Sequence, residues 1–443
     1  MFQFKITHDQ GRARTGRLST PHGEILTPAF VPVGTQATVK AVRPRDLLEI
    51  KSQLLICNTY HLYLRPGADV ISNAGGLHGF MNWKGPIMTD SGGFQVLSLG
   101  AGIEHGVGKT VKLFADSTDD SRVEALVDLK RSRGEIITKE KFCFVSDDRI
   151  IFKSHLDGTF HEWTPEKSMD IQNKLGADII FALDECTSPL HNREYTEKSL
   201  QRSHDWEERS LSAFTTSVAG PAARHPSPTS SRLDVAGARL GARLASSAMV
   251  RQAIYGIVQG GPYEDLRTES TKFVESRNFF GVGIGGALVN KTVMEDILDW
   301  VSKELSGKRP VHLLGIGGID DIFAGVERGV DSFDCADPTR IARRGDILLA
   351  PEDGGSRKNR WRANIAASEF RVDLSPLGIN CGCPSCSEGF SKSYVNHLMW
   401  SRELTGYTLT TIHNLFVMEK LMAEIREGIA ENKLDKVRER WMG

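Results

Sequence analysis

Three cysteines lie within six residues near the carboxyl end of the chain, as Cys381, Cys383 and Cys386. A histidine, His413, follows them, and His397, which lies between, is a rival fourth ligand. Thiolates in a tight turn with an imidazole from a later helix are typical of tetrahedral zinc, with an iron–sulfur cluster as the alternative. Four filled positions leave no opening for water, so the pattern predicts a structural zinc.

Two aspartates, Asp90 and Asp334, each end a short strand-like run of residues. Paired carboxylates can divide the work at a glycosidic bond between a nucleophile and a general acid/base. An aspartate at a strand end is also typical of a helix N-cap or a turn, so the pair alone does not establish an active site.

The elements that would position these residues are seven short runs, apolar on both faces, most of them separated by segments with helical periodicity. They are residues 53–58, 86–90, 178–184, 255–259, 281–286, 311–315 and 331–334. This is the pattern of buried parallel strands with helical crossovers. It predicts an α/β fold, an irregular (β/α)₈ TIM-type barrel, with a doubly wound sheet as the alternative. In a barrel, polar residues at the carboxyl ends of strands lie where active sites form.

Two stretches interrupt the pattern and are interpreted as insertions. Residues 100–149 carry mixed charge, and residues 215–247 are rich in Ala, Ser, Pro, Gly and Arg, which predicts disorder. We expect three barrel segments around these insertions, at residues 1–99, 150–214 and 248–350. Residues 351–443 should form a zinc-binding subdomain with carboxyl-terminal helices.

The overall charge does not indicate a nucleic-acid partner. There are 55 Lys and Arg against 56 Asp and Glu, a formal net charge of −1. Any surface for nucleic acid must therefore come from a local basic cluster. The amino terminus has no signal-peptide pattern, and no apolar stretch reaches the roughly 20 residues of a membrane helix. We expect a cytoplasmic protein without membrane contact, in which crowded cysteines indicate metal rather than disulfides.

The chain resembles the bacterial form of the tRNA-guanine transglycosylase family, also called queuine tRNA-ribosyltransferases, over nearly its whole length outside the two insertions. The matching segments precede the cysteine set and are residues 32–40, 58–62, 64–67, 90–96, 154–158, 184–187, 258–261 and 333–335. The resemblance implies a barrel with one structural Zn²⁺ per chain and a homodimer. It also implies an enzyme that exchanges guanine at the wobble position of tRNA with a GUN anticodon for a 7-deazaguanine base.

The same resemblance implies roles for individual residues. Asp334 would be the nucleophile that attacks ribose C1′, and Asp90 the general acid/base for the departing and incoming bases. Asp184 and Gln259 would read the base edge, and the backbone of Gly286 would add a further contact.

Two apolar side chains, Phe94 and Leu314, would sandwich the base, although core packing is the alternative for both. Arg340, Arg343 and Arg344 form a basic cluster just after Asp334 that can hold tRNA phosphates. A solvated face is the alternative for the last two.

The identity of the incoming base rests on three positions. Cys186 and Val289 match the bacterial residues and favour preQ1 (7-aminomethyl-7-deazaguanine). Lys291 stands where bacterial members usually carry a glutamate near the aminomethyl group of preQ1, and its like charge opposes recognition of that cation. PreQ1 is the first candidate and queuine the second.

Two other functions compete with this one: a non-catalytic partner subunit of the same family, and a zinc-stapled module that only binds tRNA. The retention of four polar site residues together argues against the partner subunit. They are Asp90, Asp184, Gln259 and Asp334. A base-exchange assay with labelled guanine separates all three functions.

Overall fold

The computed structural model describes residues 2–97, 143–187, 191–219, 252–287 and 291–443 of the chain. The strands in these ranges are β1 (Gln3–Gln10), β2 (Ala13–Thr20), β3 (Gly23–Thr27), β4 (Ala29–Pro32), β5 (Leu55–Cys57), β6 (Ile87–Thr89), β7 (Cys143–Val145), β8 (Ile150–Lys153), β9 (Phe160–Trp163), β10 (Ile179–Phe181), β11 (Ala253–Val258), β12 (Gly281–Ile284), β13 (Val311–Leu313), β14 (Ser332–Cys335), β15 (Asp346–Leu348) and β16 (Arg362–Asn364).

The helices of the same part of the chain are α1 (Pro44–Glu49), α2 (Thr59–Leu64), α3 (Ala68–Asn73), α4 (Gly76–Met81), α5 (Pro165–Leu175), α6 (Arg193–Ala219), α7 (Glu264–Ser276), α8 (Lys291–Glu304), α9 (Ile319–Val326), α10 (Asp337–Ala342), α11 (Pro384–Ser387), α12 (Lys392–Trp400), α13 (Leu404–Ala430) and α14 (Leu434–Met442). Short 3₁₀ helices lie at Pro351–Asp353, Arg357–Asn359 and Ser368–Val372.

Eight of the strands form a parallel sheet that closes on itself. Their order is β4-β14-β13-β12-β11-β10-β6-β5, and all neighbouring pairs are parallel. Val33, which directly follows β4, pairs in parallel with Ile56 of β5, and the Gly34 N–H donates to the Ile56 carbonyl at 2.7 Å. The predicted (β/α)₈ barrel is therefore confirmed, and the doubly wound alternative is wrong.

Strand β4 is the barrel strand that the sequence pattern did not predict. Its four residues are all buried, but Pro28 precedes them and Pro32 ends them. Because proline cannot donate to a sheet, a short run bounded by prolines lacks the usual signature of a central strand.

The interior of the barrel is packed with side chains from alternate strand positions. Ile179 and Phe181 of β10 lie in the inner apolar cluster with Met88, whereas Ile180 belongs to the outer cluster under the helices. Packing on both faces explains why the strands are apolar throughout. A Cβ at Gly283 of β12 would lie 3.0 Å from the Phe181 ring, so a larger residue here would have to displace that ring by a few tenths of an ångström.

The amino-terminal strands β1, β2 and β3 form an antiparallel sheet over the amino end of the barrel, where Leu18 and Ile25 join the inner cluster. A buried ion pair fixes this sheet: Arg14 Nη2 lies 2.6 Å from Asp331 Oδ2, just before β14. Asp331 also accepts from the Val311 N–H at 2.8 Å. The charges are thus paired and hydrogen-bonded, as burial requires.

At the carboxyl end, helix α13 packs against β1, β2, β4 and the short antiparallel pair β15–β16. A further antiparallel sheet, β7-β8-β9, lies between β6 and α5 in the chain. No helix in the described ranges is both long and apolar enough to cross a membrane.

The two interpreted insertions fall mostly outside the described residues, which omit 98–142 and 220–251. Of the first stretch, residues 143–145 form β7, and of the second, residues 215–219 end helix α6.

Removing one partner of the buried ion pair should destabilise the fold. We expect Arg14→Ala to lower the free energy of unfolding by about 3–5 kcal/mol, because Asp331 is left as an unpaired buried charge. The control is Arg17→Ala, whose partner Glu24 lies at 2.8 Å in an exposed pair, and it should cost about 0–1 kcal/mol. Urea unfolding of the two variants measures both free energies of unfolding. Equal losses of unfolding free energy in the two variants would show that the buried pair does not stabilise the fold.

Candidate functional site

The two predicted catalytic aspartates lie at the same end of the barrel. Asp90 directly follows β6, and Asp334 lies near the end of β14. These strands stand on either side of the closing pair β5 and β4, so the closure brings the two carboxyl groups to one barrel mouth. This is the face where (β/α)₈ barrels place their active sites.

Asp90 is held by the segment that begins helix α2. Its carboxylate accepts hydrogen bonds from Asn58 Nδ2 at 2.5 Å, from the Thr59 N–H at 2.9 Å and from the Gly92 N–H at 3.2 Å. Burial raises the pKa of Asp90 to about 7, with a further increase from the nearby Asp334 charge, against the lowering effect of these hydrogen bonds. A carboxyl group with a pKa near neutrality can both give and take a proton.

Asp334 has a different environment. Its Oδ1 accepts from the Gly315 N–H at 2.7 Å and lies 3.2 Å from Nε2 of the fully buried His312. His312 Nδ1 lies 2.8 Å from the Ser332 hydroxyl, and when that hydroxyl donates, Nε2 carries the proton that faces Asp334. No hydrogen bond from the described residues reaches Oδ2, which leaves this oxygen available to an electrophile.

Between these carboxylates along the sheet lies a pair of buried polar side chains. Asp184 accepts from Gln259 Nε2 at 2.7 Å and from the Ser91 hydroxyl at 3.2 Å. Burial raises the pKa of Asp184 to about 6, although both hydrogen bonds oppose the rise. Gln259 Oε1 is buried and accepts no hydrogen bond within the described ranges, so it can accept one from a ligand N–H.

Gly286 borders the same pair. Its φ is 62°, a left-handed conformation, and a Cβ there would lie 2.7 Å from Gln259 Oε1. Cys186 Sγ would lie 3.6 Å from the same Cβ, which places this half-buried thiol beside Gly286. Burial raises the pKa of Cys186 to about 12, so the thiol is neutral.

The two side chains predicted to stack on the base, Phe94 and Leu314, differ in how much of each is exposed to solvent. Phe94 is 36% exposed, which is unusual for a core phenylalanine, and Leu314, directly after β13, is half-buried against the inner cluster. The alternative of simple core packing therefore fits Leu314 better than Phe94.

Arg340, Arg343 and Arg344 follow Asp334 on and just after helix α10. Arg343 donates to the Thr339 carbonyl at 2.5 Å, and Arg344 is exposed. Burial lowers the pKa of Arg343, and so do the neighbouring charges of Arg340 and Arg344.

A buried cation, Arg267 of α7, was missed in the sequence. Its guanidinium donates to four carbonyl oxygens in the loops after β11 and β12, at distances of 2.8–3.1 Å. They belong to Val258, Gly261, Gly285 and Gly286. Burial lowers the pKa of Arg267 to about 10, so the group stays charged at neutral pH and holds both loops. Lying among charged helix residues, it has the sequence signature of a surface arginine.

Glu185, next to Asp184, was also missed in the sequence. It is buried, accepts from the Tyr195 hydroxyl at 2.6 Å and forms an ion pair with Arg202. These contacts with helix α6 fix the backbone that presents Asp184.

Two positions bear on the choice of base. Lys291 Nζ lies 2.5 Å from Asp320 Oδ2, so its charge is neutralised by a partner on α9. Val289 lies outside the described residues.

The cysteine cluster has the dimensions of a tetrahedral metal site. His413 Nδ1 lies 3.5, 3.6 and 3.5 Å from the Sγ atoms of Cys381, Cys383 and Cys386. Metal–ligand bonds of about 2.3 Å to sulfur and about 2.0–2.1 Å to nitrogen place these atoms roughly 3.6 Å apart at the tetrahedral angle. The rival ligand His397 is exposed and lies outside the group.

Hydrogen bonds orient the cluster from outside. The Leu348 carbonyl lies 2.8 Å from His413 Nε2, which fixes Nδ1 as the free ligand atom. The adjacent Asn414 side chain accepts from the Leu348 N–H at 2.7 Å and donates to the carbonyls of Pro338 and Asp346, each at 3.0 Å. One turn of α13 therefore connects the cluster to β15 and α10.

The fold and the site define a class of protein: a (β/α)₈ barrel enzyme with paired carboxylates at its mouth and a Cys₃His cluster beside the barrel. The sequence model of the family described as queuine tRNA-ribosyltransferase matches residues 9–132 and 129–443. The chain belongs to this family, and it is accordingly a pentosyltransferase.

Similar proteins match over their full lengths. A protein of Archaeoglobus fulgidus is 41% identical over 443 residues, 100% of this chain and 99% of the relative. Queuine tRNA-ribosyltransferases of Roseiflexus sp. (strain RS-1) and Aquifex aeolicus (strain VF5) are 38% and 37% identical. Both alignments cover 100% of this chain, with 99% and 98% of the relatives.

The proximity of the two carboxylates can be tested through the titration of Asp90. Difference infrared spectroscopy of the carboxyl stretch should show a group with a pKa near 7 in the wild type. In Asp334→Asn this midpoint should move to lower pH, because a negative neighbour has been removed. The exposed Asp435→Asn serves as control and should leave the midpoint unchanged. An unaltered midpoint in Asp334→Asn would mean that the two groups do not interact.

Proposed function

We propose that the protein is a tRNA-guanine transglycosylase that exchanges guanine at the wobble position for preQ1 by double displacement. The observation that carries this proposal is a pair of differently held carboxylates, Asp90 and Asp334, at one barrel mouth beside the buried Asp184–Gln259 pair.

Asp334 is the proposed nucleophile. Its Oδ2 attacks ribose C1′ of the target guanosine while the C1′–N9 bond breaks and its electron pair passes to the base. The Gly315 N–H and His312 hold Oδ1 and so aim the other oxygen. A covalent ribosyl ester retains the tRNA between the two half-reactions.

Asp90 is the proposed general acid/base. In its protonated form it gives a proton to the departing guanine, and as the carboxylate it then takes a proton from N9 of the incoming base. That nitrogen attacks C1′, and the bond from C1′ to Asp334 breaks. A pKa of about 7 suits both steps, since neither form is strongly favoured at neutral pH.

Asp184, Gln259 and the backbone of Gly286 are the proposed base-reading groups. A guanine-like ring offers N–H donors that satisfy the Asp184 carboxylate and the unpaired Gln259 Oε1. A base without those donors would leave buried acceptors unsatisfied, and this is a strong basis for discrimination. Cys186 lies beside Gly286 and limits the width of the pocket.

Stacking and phosphate contacts complete the proposal. The exposed Phe94 ring and the half-buried Leu314 are suited to the two faces of the base, and stacking is worth about 1–3 kcal/mol. Arg340, Arg343 and Arg344 provide a local cation cluster for tRNA phosphates on a chain of net charge −1. The homodimer and the GUN anticodon preference stay predictions from the resemblance.

We assign Zn²⁺ to Cys381, Cys383, Cys386 and His413, because the Sγ···Nδ1 distances match the tetrahedral spacing. Bound there, the ion supplies a covalent cross-link for the carboxyl-terminal subdomain. Because all four ligands are protein side chains, the ion has no open position for water or substrate, and we assign it a structural role.

PreQ1 is the proposed incoming base despite the lysine at position 291. The ion pair between Lys291 and Asp320 compensates the lysine charge, which would otherwise repel the ammonium group of preQ1. Queuine is the second candidate, because Lys291 departs from the glutamate usual at this position in bacterial members.

The nucleophile assignment is tested with unmodified tRNA and labelled guanine. Asp334→Asn should reduce exchange by at least about 10⁴-fold and abolish the covalent tRNA adduct on denaturing gels, with tRNA affinity roughly preserved. Asp337→Asn, three residues away and paired with Arg362 at 2.5 Å, is the matched control and should stay active. Wild-type turnover in Asp334→Asn would remove this residue from the mechanism.

The zinc assignment is tested by metal analysis of the full chain. Cys383→Ser should lose about one equivalent of zinc together with stability, since a structural zinc contributes folding free energy. His397→Ala should keep its metal, because this side chain lies outside the cluster. Full zinc content in a His413→Ala variant, or iron in place of zinc, would contradict the assignment.

The choice of base is tested at position 291. Lys291→Glu should lower KM for preQ1 by up to about tenfold and hardly change KM for guanine, because a charge-assisted contact is worth roughly 1.5–3 kcal/mol when buried and less near solvent. Lys303→Glu, on the same helix and more exposed, is the control. Faster incorporation of queuine than of preQ1 by the wild type would reverse our ranking of the two bases.

A further inference from the structure

A second group of potential metal ligands lies at the opposite end of the barrel from the carboxylates described above. His22 lies in the turn between β2 and β3, His78 lies in α4, and Asp178 directly precedes β10. Asp184 follows the same strand at its carboxyl end, six residues or about 20 Å along an extended chain from Asp178. The two sites are therefore on different faces of the barrel.

The three side chains converge on one point. His22 Nδ1 lies 2.7 Å from Asp178 Oδ1, and His78 Nε2 lies 3.2 Å from Asp178 Oδ2. The two imidazole rings are stacked, with centroids 3.5 Å apart and planes 15° from parallel. One ligand atom from each residue lies within 4.8 Å of the others.

Hydrogen bonding accounts for only part of this arrangement. His22 and the Ile87 N–H, at 3.0 Å, both satisfy the geometry of hydrogen bonds to Asp178. His78 Nε2 is buried and, despite its 3.2 Å distance to the carboxylate, forms no hydrogen bond with any described residue. A buried nitrogen that lies this close to a carboxylate, but outside hydrogen-bond geometry, is available to a metal ion that the carboxylate also binds.

The geometry points to a second metal site, in which His22, His78 and Asp178 bind a divalent transition-metal ion. Bonds of about 2.0–2.2 Å place tetrahedral nitrogen and oxygen ligands roughly 3.4 Å apart, near the spacing of His78 and Asp178. Two imidazoles on one tetrahedral ion have ring centroids about 5 Å apart, so the stacked rings must separate on binding. His22 lies on a surface turn and is 26% exposed, so it is the ring that can move out of the stack and away from its 2.7 Å contact with Asp178.

The ligand chemistry selects the class of ion. Two imidazole nitrogens with one carboxylate suit Zn²⁺, Co²⁺ or Fe²⁺, whereas Mg²⁺ and Ca²⁺ prefer sites made of oxygen. The ion would cross-link the β2–β3 turn, α4 and the start of β10. These elements lie at the amino-terminal face of the barrel, which in (β/α)₈ barrels contributes to stability rather than catalysis.

Cobalt titration of the full-length protein tests this site separately from the cysteine cluster. Co²⁺ bound to thiolates gives sulfur-to-metal charge-transfer absorption, and Co²⁺ bound by two histidines and a carboxylate does not. The wild type should bind two equivalents, one with and one without that absorption. His22→Ala and His78→Gln should each bind one equivalent, with the thiolate absorption retained as evidence of folding. His397→Ala, an exposed histidine outside both groups, should still bind two.

Thermal unfolding supplies a second measurement. Added Zn²⁺, beyond the equivalent held by the cysteines, should raise Tm of the wild type and of His397→Ala but not that of His22→Ala. A single equivalent of cobalt in the wild type, together with the same zinc response in His22→Ala, would overturn the proposal. In that case the three side chains would be only a polar contact between β10 and the amino-terminal sheet.

Discussion

The closure of the sheet between β4 and β5 is the constraint on which the site depends. In an open sheet of the same order, β6 and β14 would be five strands apart, or about 24 Å. The Gly34–Ile56 hydrogen bond and the parallel pairing beside it reduce this to three strands around a ring. Only then does the charge of Asp334 act on Asp90 and help to keep its pKa near neutrality.

Two buried aspartates, Asp90 and Asp184, can take different chemical roles because their hydrogen-bond partners differ. The same desolvation raises the pKa of Asp90 and of Asp184, but their partners differ. Asp184 is held by a glutamine amide and a hydroxyl, which suits a fixed acceptor. Asp90 accepts from an asparagine amide and two backbone N–H groups, and the charge of Asp334 also raises its pKa. The position of each group on the barrel rim, more than its residue type, decides what it can do.

The sequence predicted the parts of this arrangement that have a local signature. Seven apolar runs correspond to barrel strands, and the spacing of Cys381, Cys383 and Cys386 located the cluster that they form with His413. Strand β4 lacked a signature because prolines bound it. Arg267 was missed for another reason: its four carbonyl partners lie in loops that are adjacent only after the barrel has formed.

Helix α13 couples two regions that are distant in sequence. His413 belongs to the cysteine cluster, and its neighbour Asn414 binds the carbonyl of Pro338, four residues after Asp334. Cysteine thiolates can be oxidised, and an oxidised cysteine no longer binds a metal ion as a thiolate. Oxidative damage at the cluster should therefore loosen the segment behind the nucleophile, so that an oxidant inactivates the barrel mouth without touching it.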